Sequence, residues 1–293
     1  MNGTEVTNET TEGDGTAHVR SVHLLLPGET LPGWAAAAVE RMVAETDATV
    51  THLVISEAEH DRSVVDSLRR VKKLREWAPV AAAHSVLDED RSGGSVHVDE
   101  IPALAGATRT YCEPVPRESF GNDLPEFAVE ELREADIAIR FGFGILLGDA
   151  LSAPTHGVLS YHHGDLTKYR GQPMGFWEYV RGEDTAGVTV QRLNETLDGG
   201  EIVVLEQVAI DDADTWPEVR RRLFERSEGM LAQAVRNVED PSVSPLEPDE
   251  LGDLYTLPKG RPVATYLLKT ARGLVRRQLR ALRTGRRRSP VKN

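Results

Sequence analysis

Two apolar runs, residues 157–161 and 187–193, constrain this chain more than any other feature. Each reads as a buried strand that ends near polar groups no apolar core accommodates. The first runs into His162 and His163, and the second is followed by Asp198. In α/β proteins buried strands present such groups at their carboxyl ends, where ligands bind. A His and an Asp brought together there make an acid–base pair. The imidazole titrates near neutral pH, and the carboxylate holds it protonated.

The rest of the chain supplies a sheet for these strands. Residues 21–29 (SVHLLLPGE) read as a first strand ending in a Pro-Gly turn, and 49–57 as a second. Between them, 32–46 is alanine-rich with apolar residues at helical spacing, and 60–77 reads as a helix with a solvated basic face. Further strands are expected within 106–114 and over 136–144 and 202–210, with helices over 127–135 and 175–181. This alternation predicts an α/β fold with a doubly wound, mostly parallel sheet. Residues 214–236 predict one amphipathic helix, capped by Thr215, with Pro217 and Glu218 in its first turn.

The central stretch carries four short motifs in order: Ser160-Tyr161-His162, Tyr169-Arg170-Gly171, Gly187-Val188-Thr189 and Leu197-Asp198-Gly199-Gly200. Upstream lies Phe141-Gly142-Phe143-Gly144-Ile145-Leu146. In order and spacing the set resembles the folate-dependent formyltransferase superfamily, over roughly residues 22–210. The resemblance implies a Rossmann-like formyltransferase domain over 19–210, followed by a helical extension over 211–240 and a linker with a basic amphipathic tail over 241–293. Residues 1–18 are polar and are expected to be disordered.

The resemblance also implies roles. The formyl donor is 10-formyltetrahydrofolate, and a primary amine attacks its formyl carbon. His162 donates to the oxygen as charge gathers on it, and Asp198 keeps His162 protonated and helps take the proton from the amine. Ser160 stands where the family usually has Asn; a serine hydroxyl can donate one hydrogen bond but reaches less far. Phe143, Gly144, Ile145, Leu146 and Leu197 are expected to bind the folate; Arg170, His163 and Trp177 are expected to bind the acceptor. The acceptor expected from Phe176-Trp177 is an amino sugar or sugar nucleotide. The alternatives are hydrolysis of the formyl-folate and a non-catalytic formyltransferase-like binding module. The loop PGETLPG after the first strand lacks a Gly/Ser-rich phosphate cradle, which disfavours a glycinamide ribonucleotide acceptor.

Composition narrows the setting. Cys112 is the only cysteine, so no intrachain disulfide and no cysteine-based zinc site is expected, and no metal is called. No secretory leader or membrane-length apolar run is read, so the expected location is cytoplasmic. Of 47 acidic and 34 basic residues, no acidic and twelve basic ones fall within 257–293. That leaves 47 against 22 before residue 257, a net of −25. An acidic, lysine-poor body suits high salt, which screens self-repulsion, and a halophilic source is expected. The tail over 259–288 predicts an amphipathic helix with Leu267, Ala271, Leu274, Gln278 and Leu282 on one stripe. It fits its own acidic domain or a partner subunit, as in a homodimer, and it also fits an anionic membrane surface, with nucleic acid least favoured.

Overall fold

The computed structural model describes residues 18–57, 77–87, 94–118 and 120–286. The expected disordered segment and the expected helix over 60–77 lie outside the described residues except for His18 and Trp77.

Seven strands form the main sheet: β1 (Ser21–Leu26), β2 (Thr49–Ser56), β3 (Thr108–Cys112), β4 (Ile137–Arg140), β5 (Val158–His162), β6 (Thr185–Arg192) and β7 (Glu201–Ala209). Their spatial order is β7-β6-β5-β4-β1-β2-β3. The five from β5 to β3 run parallel, and β6 and β7 add an antiparallel edge. The chain winds outward from β1 through β2 and β3, then returns to β1's other side with β4. The topological switch point therefore lies between β1 and β4, and its carboxyl-terminal side is where ligands collect in such sheets.

Strand alternation divides the core in two. Val22, Leu24, Leu26, Leu53, Ile137, Ile139 and Leu159 face one cluster. Leu25, Val54, Ala138 and Val158, offset by one residue, face the other. The first face is covered by α1 (Gly33–Glu45), which buries Ala35, Ala38, Val39 and Met42 at helical spacing. Trp77, just ahead of α2 (Ala78–Leu87), packs on that side too. The second face is thinner, covered by α3 (Glu126–Arg133) and by the segment holding Phe143, Leu146, Ala150 and Leu151. Cys112 is buried there, its thiol pushed up to about 11 by burial and then by Glu57.

Three local expectations are corrected. The helix read over 214–236 is two helices, α5 (Trp216–Ser227) and α6 (Met230–Glu239), following the short α4 (Phe176–Arg181) in the chain. Gly229 lowers helix propensity at the junction, and the Ser227 hydroxyl donates back to the Leu223 carbonyl at 2.8 Å, a bond that bends helices. The break turns Met230, Leu231, Ala234 and Val235 onto the core. Thr215 makes no side-chain cap; Glu218 instead accepts from the Asp214 N–H at 3.0 Å.

The third correction concerns the tail helix, α7 (Arg261–Arg286). Its docked face is Val263, Tyr266, Thr270 and Gly273, rather than the leucine stripe. Leu267 and Leu282 are 38% and 59% exposed. Tyr266 sets the rotation, because it inserts fully buried among Phe176, Tyr179 and Trp216. Arg276 and Arg280 both pair with Asp214, and Lys269 donates to the Tyr179 carbonyl at 2.5 Å. The basic helix thus lies on its own acidic body from Val263 as far as Arg280. No helix among the described residues is long and apolar enough to cross a membrane.

Candidate active site

His162 is the last residue of β5, and Ser160 precedes it on the same, thinner face of the sheet. Across the antiparallel pair Thr189 of β6 lies opposite His162. Its buried hydroxyl donates to the Gly164 carbonyl at 2.7 Å, which turns the chain sharply after the strand. Gly164 has no room for a side chain: a Cβ there would lie 2.7 Å from both His162 Nε2 and the Tyr169 carbonyl.

The short strand Tyr169–Gly171 then orients both members of the acid–base pair. The Tyr169 carbonyl accepts from His162 Nε2 at 3.1 Å, and the Gly171 N–H donates to Asp198 Oδ2 at 3.1 Å. A carbonyl can only accept, so Nε2 carries a proton. That leaves Nδ1 facing Asp198 Oδ1 at 3.6 Å. The carboxylate thus lies in line with the ring edge that carries Nδ1. Asp198 holds a left-handed backbone, φ 47°, which Asp tolerates better than most residues. Tyr169–Gly171 is itself pinned by parallel pairing with Asp253–Tyr255. The Tyr169 and Tyr255 rings lie 5.2 Å apart, with the Arg181 guanidinium over both.

Ser160 does not present a free hydroxyl. Its Oγ accepts from Arg140 Nε at 3.3 Å and Nη2 at 3.1 Å, while its own hydrogen has backbone carbonyls of Arg140 and Tyr161 within reach at 3.4 and 3.5 Å. Arg140 ends β4 in direct register with Ser160. Its Nη1 donates to the Gly144 carbonyl. Burial lowers this guanidinium from its ordinary value, and the Asp198 charge opposes that. Sequence reasoning passed over Arg140; the available signal was one arginine in the apolar run 136–144.

The other expected residues are distributed around this cluster. Phe143 and Leu146 are buried in the second core cluster, while Gly144, Ile145 and Leu197 are exposed beside it. Arg170 spends its guanidinium on the Gly252 and Leu197 carbonyls, at 2.7 and 3.2 Å, tying the Asp198 loop to the C-terminal region. Trp177 is half-buried and donates to the Gln172 carbonyl at 3.3 Å. His163 points to the opposite face, against Trp34, Tyr161 and Phe224, with Nε2 3.0 Å from Ser227 Oγ. Burial first, then His162 and Arg220, push it down to about 3, so it is neutral at ordinary pH. A cleft of about 540 Å³ opens beside His162 and His163, walled by Trp77, Trp216, Arg220 and the loop at Gln172.

Residues 112–235 match the family model described as formyl transferase. The methionyl-tRNA formyltransferase of Lachnospira eligens is 31% identical over 133 residues, which cover 44% of this chain and 42% of that protein. That of Thermotoga neapolitana is 32% identical over 121 residues, covering 41% and 39%. A glycinamide ribonucleotide transformylase from Symbiobacterium toebii superposes with a TM-score of 0.50 at 18% identity, over 80% of this chain and 95% of that one. A 4-N formyltransferase from Francisella tularensis does so with a TM-score of 0.51 at 10% identity, over 87% and 88%. Over residues 112–235 the chain is thus similar to the formyl transferase family, and the fold it shares with these structures extends over most of its length. Its similarity to those two curated relatives spans less than half of their length.

Proposed function

We propose that this chain transfers a formyl group from 10-formyltetrahydrofolate to a primary amine. The observation that carries the reading is the His162–Asp198 pair, held at one strand end by the Tyr169 carbonyl and the Gly171 N–H. The amine nitrogen bonds to the formyl carbon while the bond from that carbon to the folate nitrogen breaks. Asp198 takes the proton the amine sheds, and His162 supplies one to the departing nitrogen. Near-complete burial of His162, at 8% exposure, keeps bulk water from the transfer. Ile145 and Leu197, exposed beside the cluster, offer apolar surface to a pteridine ring.

The acceptor class that suits the cleft beside His162 is an amino sugar or sugar nucleotide. Its volume, about 540 Å³, is that of a small-molecule site, and the half-buried Trp77 at its wall offers a ring on which a sugar or base can stack. Release of tetrahydrofolate from the formyl donor should depend on a nucleotide-linked amino sugar from a panel, and should fall about 10²–10⁴-fold in His162→Ala. Donor turnover that ignores every amine in the panel would replace transfer by hydrolysis. Turnover equal in His162→Ala and the native chain would remove this site from the chemistry.

A further inference from the structure

Arg140 places a cation at the carboxyl end of β4, at the switch point of the sheet, beside a predominantly apolar face. Its guanidinium has five N–H groups. Nε and Nη2 each use one on Ser160 Oγ, and Nη1 uses one on the Gly144 carbonyl. One N–H on each terminal nitrogen remains. Among the described residues no carboxylate is in ion-pair contact with it; Asp198 acts on it only through its field. A half-buried cation without a contacting anion is costly. The arrangement makes physical sense when a negatively charged atom comes to the carboxyl end of β4.

Ser160 explains how the cation is aimed. The two residues are in register on neighbouring parallel strands, and the serine oxygen engages the Nε–Nη2 edge. Ser160 and His162 share a face, and Asp198, whose field reaches Arg140, faces His162 Nδ1 at 3.6 Å. Arg140, Ser160, His162 and Asp198 thus form one contiguous group.

We propose that Arg140, positioned by Ser160, is the donor to the formyl oxygen, meeting with its two remaining N–H groups the charge that gathers there. The inference rests on the formyl-transfer reading above. As the amine nitrogen bonds to the formyl carbon, the carbonyl electron pair moves onto oxygen, where Arg140 holds it. The pair returns as the bond from carbon to the folate nitrogen breaks. Asp198 and His162 move the protons, so Arg140 stays charged throughout. Ser160 is then a positioning residue. A charged donor of this kind also binds the ground-state carbonyl, though less strongly.

The test is binding by the full-length chain of dideaza analogues of folate with and without the 10-formyl group. The native chain should prefer the formylated analogue by about tenfold, the worth of one charge-assisted hydrogen bond. Arg140→Met should erase that preference while its affinity for the unformylated analogue stays within about twofold. Should Arg140→Met fail to fold, Arg140→Lys, which keeps the charge but not the fork, should retain only part of the preference. Equal weakening of both analogues in either variant makes Arg140 a structural tether and overturns the inference. So does a native chain that binds both analogues alike, with the formyl-transfer reading left standing. Binding of neither analogue by the folded native chain overturns both.

Discussion

His162 shows how much of a catalytic group's behaviour is set by backbone atoms. The Tyr169 carbonyl fixes its proton on Nε2, and the Gly171 N–H aims Asp198 at the other nitrogen. Both depend on the chain turning through Gly164 without a side chain. Gly164→Ala would drive a Cβ against His162 Nε2 and the Tyr169 carbonyl, each 2.7 Å away. A ring displaced by about 1 Å costs on the order of a hundredfold in rate. The expected outcome is that loss in turnover from a chain that still folds cooperatively by circular dichroism; unchanged turnover would place the functional His162 elsewhere. Of these residues, His162 and Asp198 were legible in the sequence, because strand-end polar groups interrupt an apolar pattern locally. Arg140 was not. In the run 136–144 it reads as one polar residue within an expected strand, and the register with Ser160 is what gives it a partner across strands.

The strands and helices carry two further consequences. On β1 and β2, the His23 and His52 rings lie 5.2 Å apart. Burial, then the His52 charge, lowers His23 to about 4, and burial lowers His52 as well. A depressed His contributes stability that is full above its unfolded value, about 6.5, and is lost as pH falls toward its folded one. Unfolding free energy should therefore drop between about pH 6.5 and 4, with His23 supplying up to about 1.4 kcal/mol per pH unit. His23→Leu should flatten that slope in denaturant titrations, and an unchanged slope would show that other groups carry it. On α7, Gly273 packs flush on the body. Gly→Ala in a free helix gains about 1 kcal/mol. Here the added Cβ would overlap the Asp214 carbonyl, so the helix must lift and withdraw Tyr266. Gly273→Ala should destabilise by about 1–3 kcal/mol, read as a lower thermal midpoint, and a stabilised variant would contradict the docking. The helix and strand types were readable from local periodicity. The rotation of α7 was not, since Tyr266 acts through a distant partner, Trp216; nor was the break before α6, since a lone Gly229 inside a helical pattern is often tolerated.

For the molecule entire, the doubly wound order places the switch point, the His–Asp pair and the Arg140 cation on one rim of one sheet. Residues 253–255 reach back to pin the loop that aims the pair, so the region after the matched segment helps frame the site. That pairing left no trace in the sequence, because a three-residue strand has no period to detect. The direct test of the account is calorimetric titration of the full chain with a stable 10-formyltetrahydrofolate analogue. The account predicts saturable binding of one molecule per chain. A chain shown to be folded that takes up no analogue would contradict it.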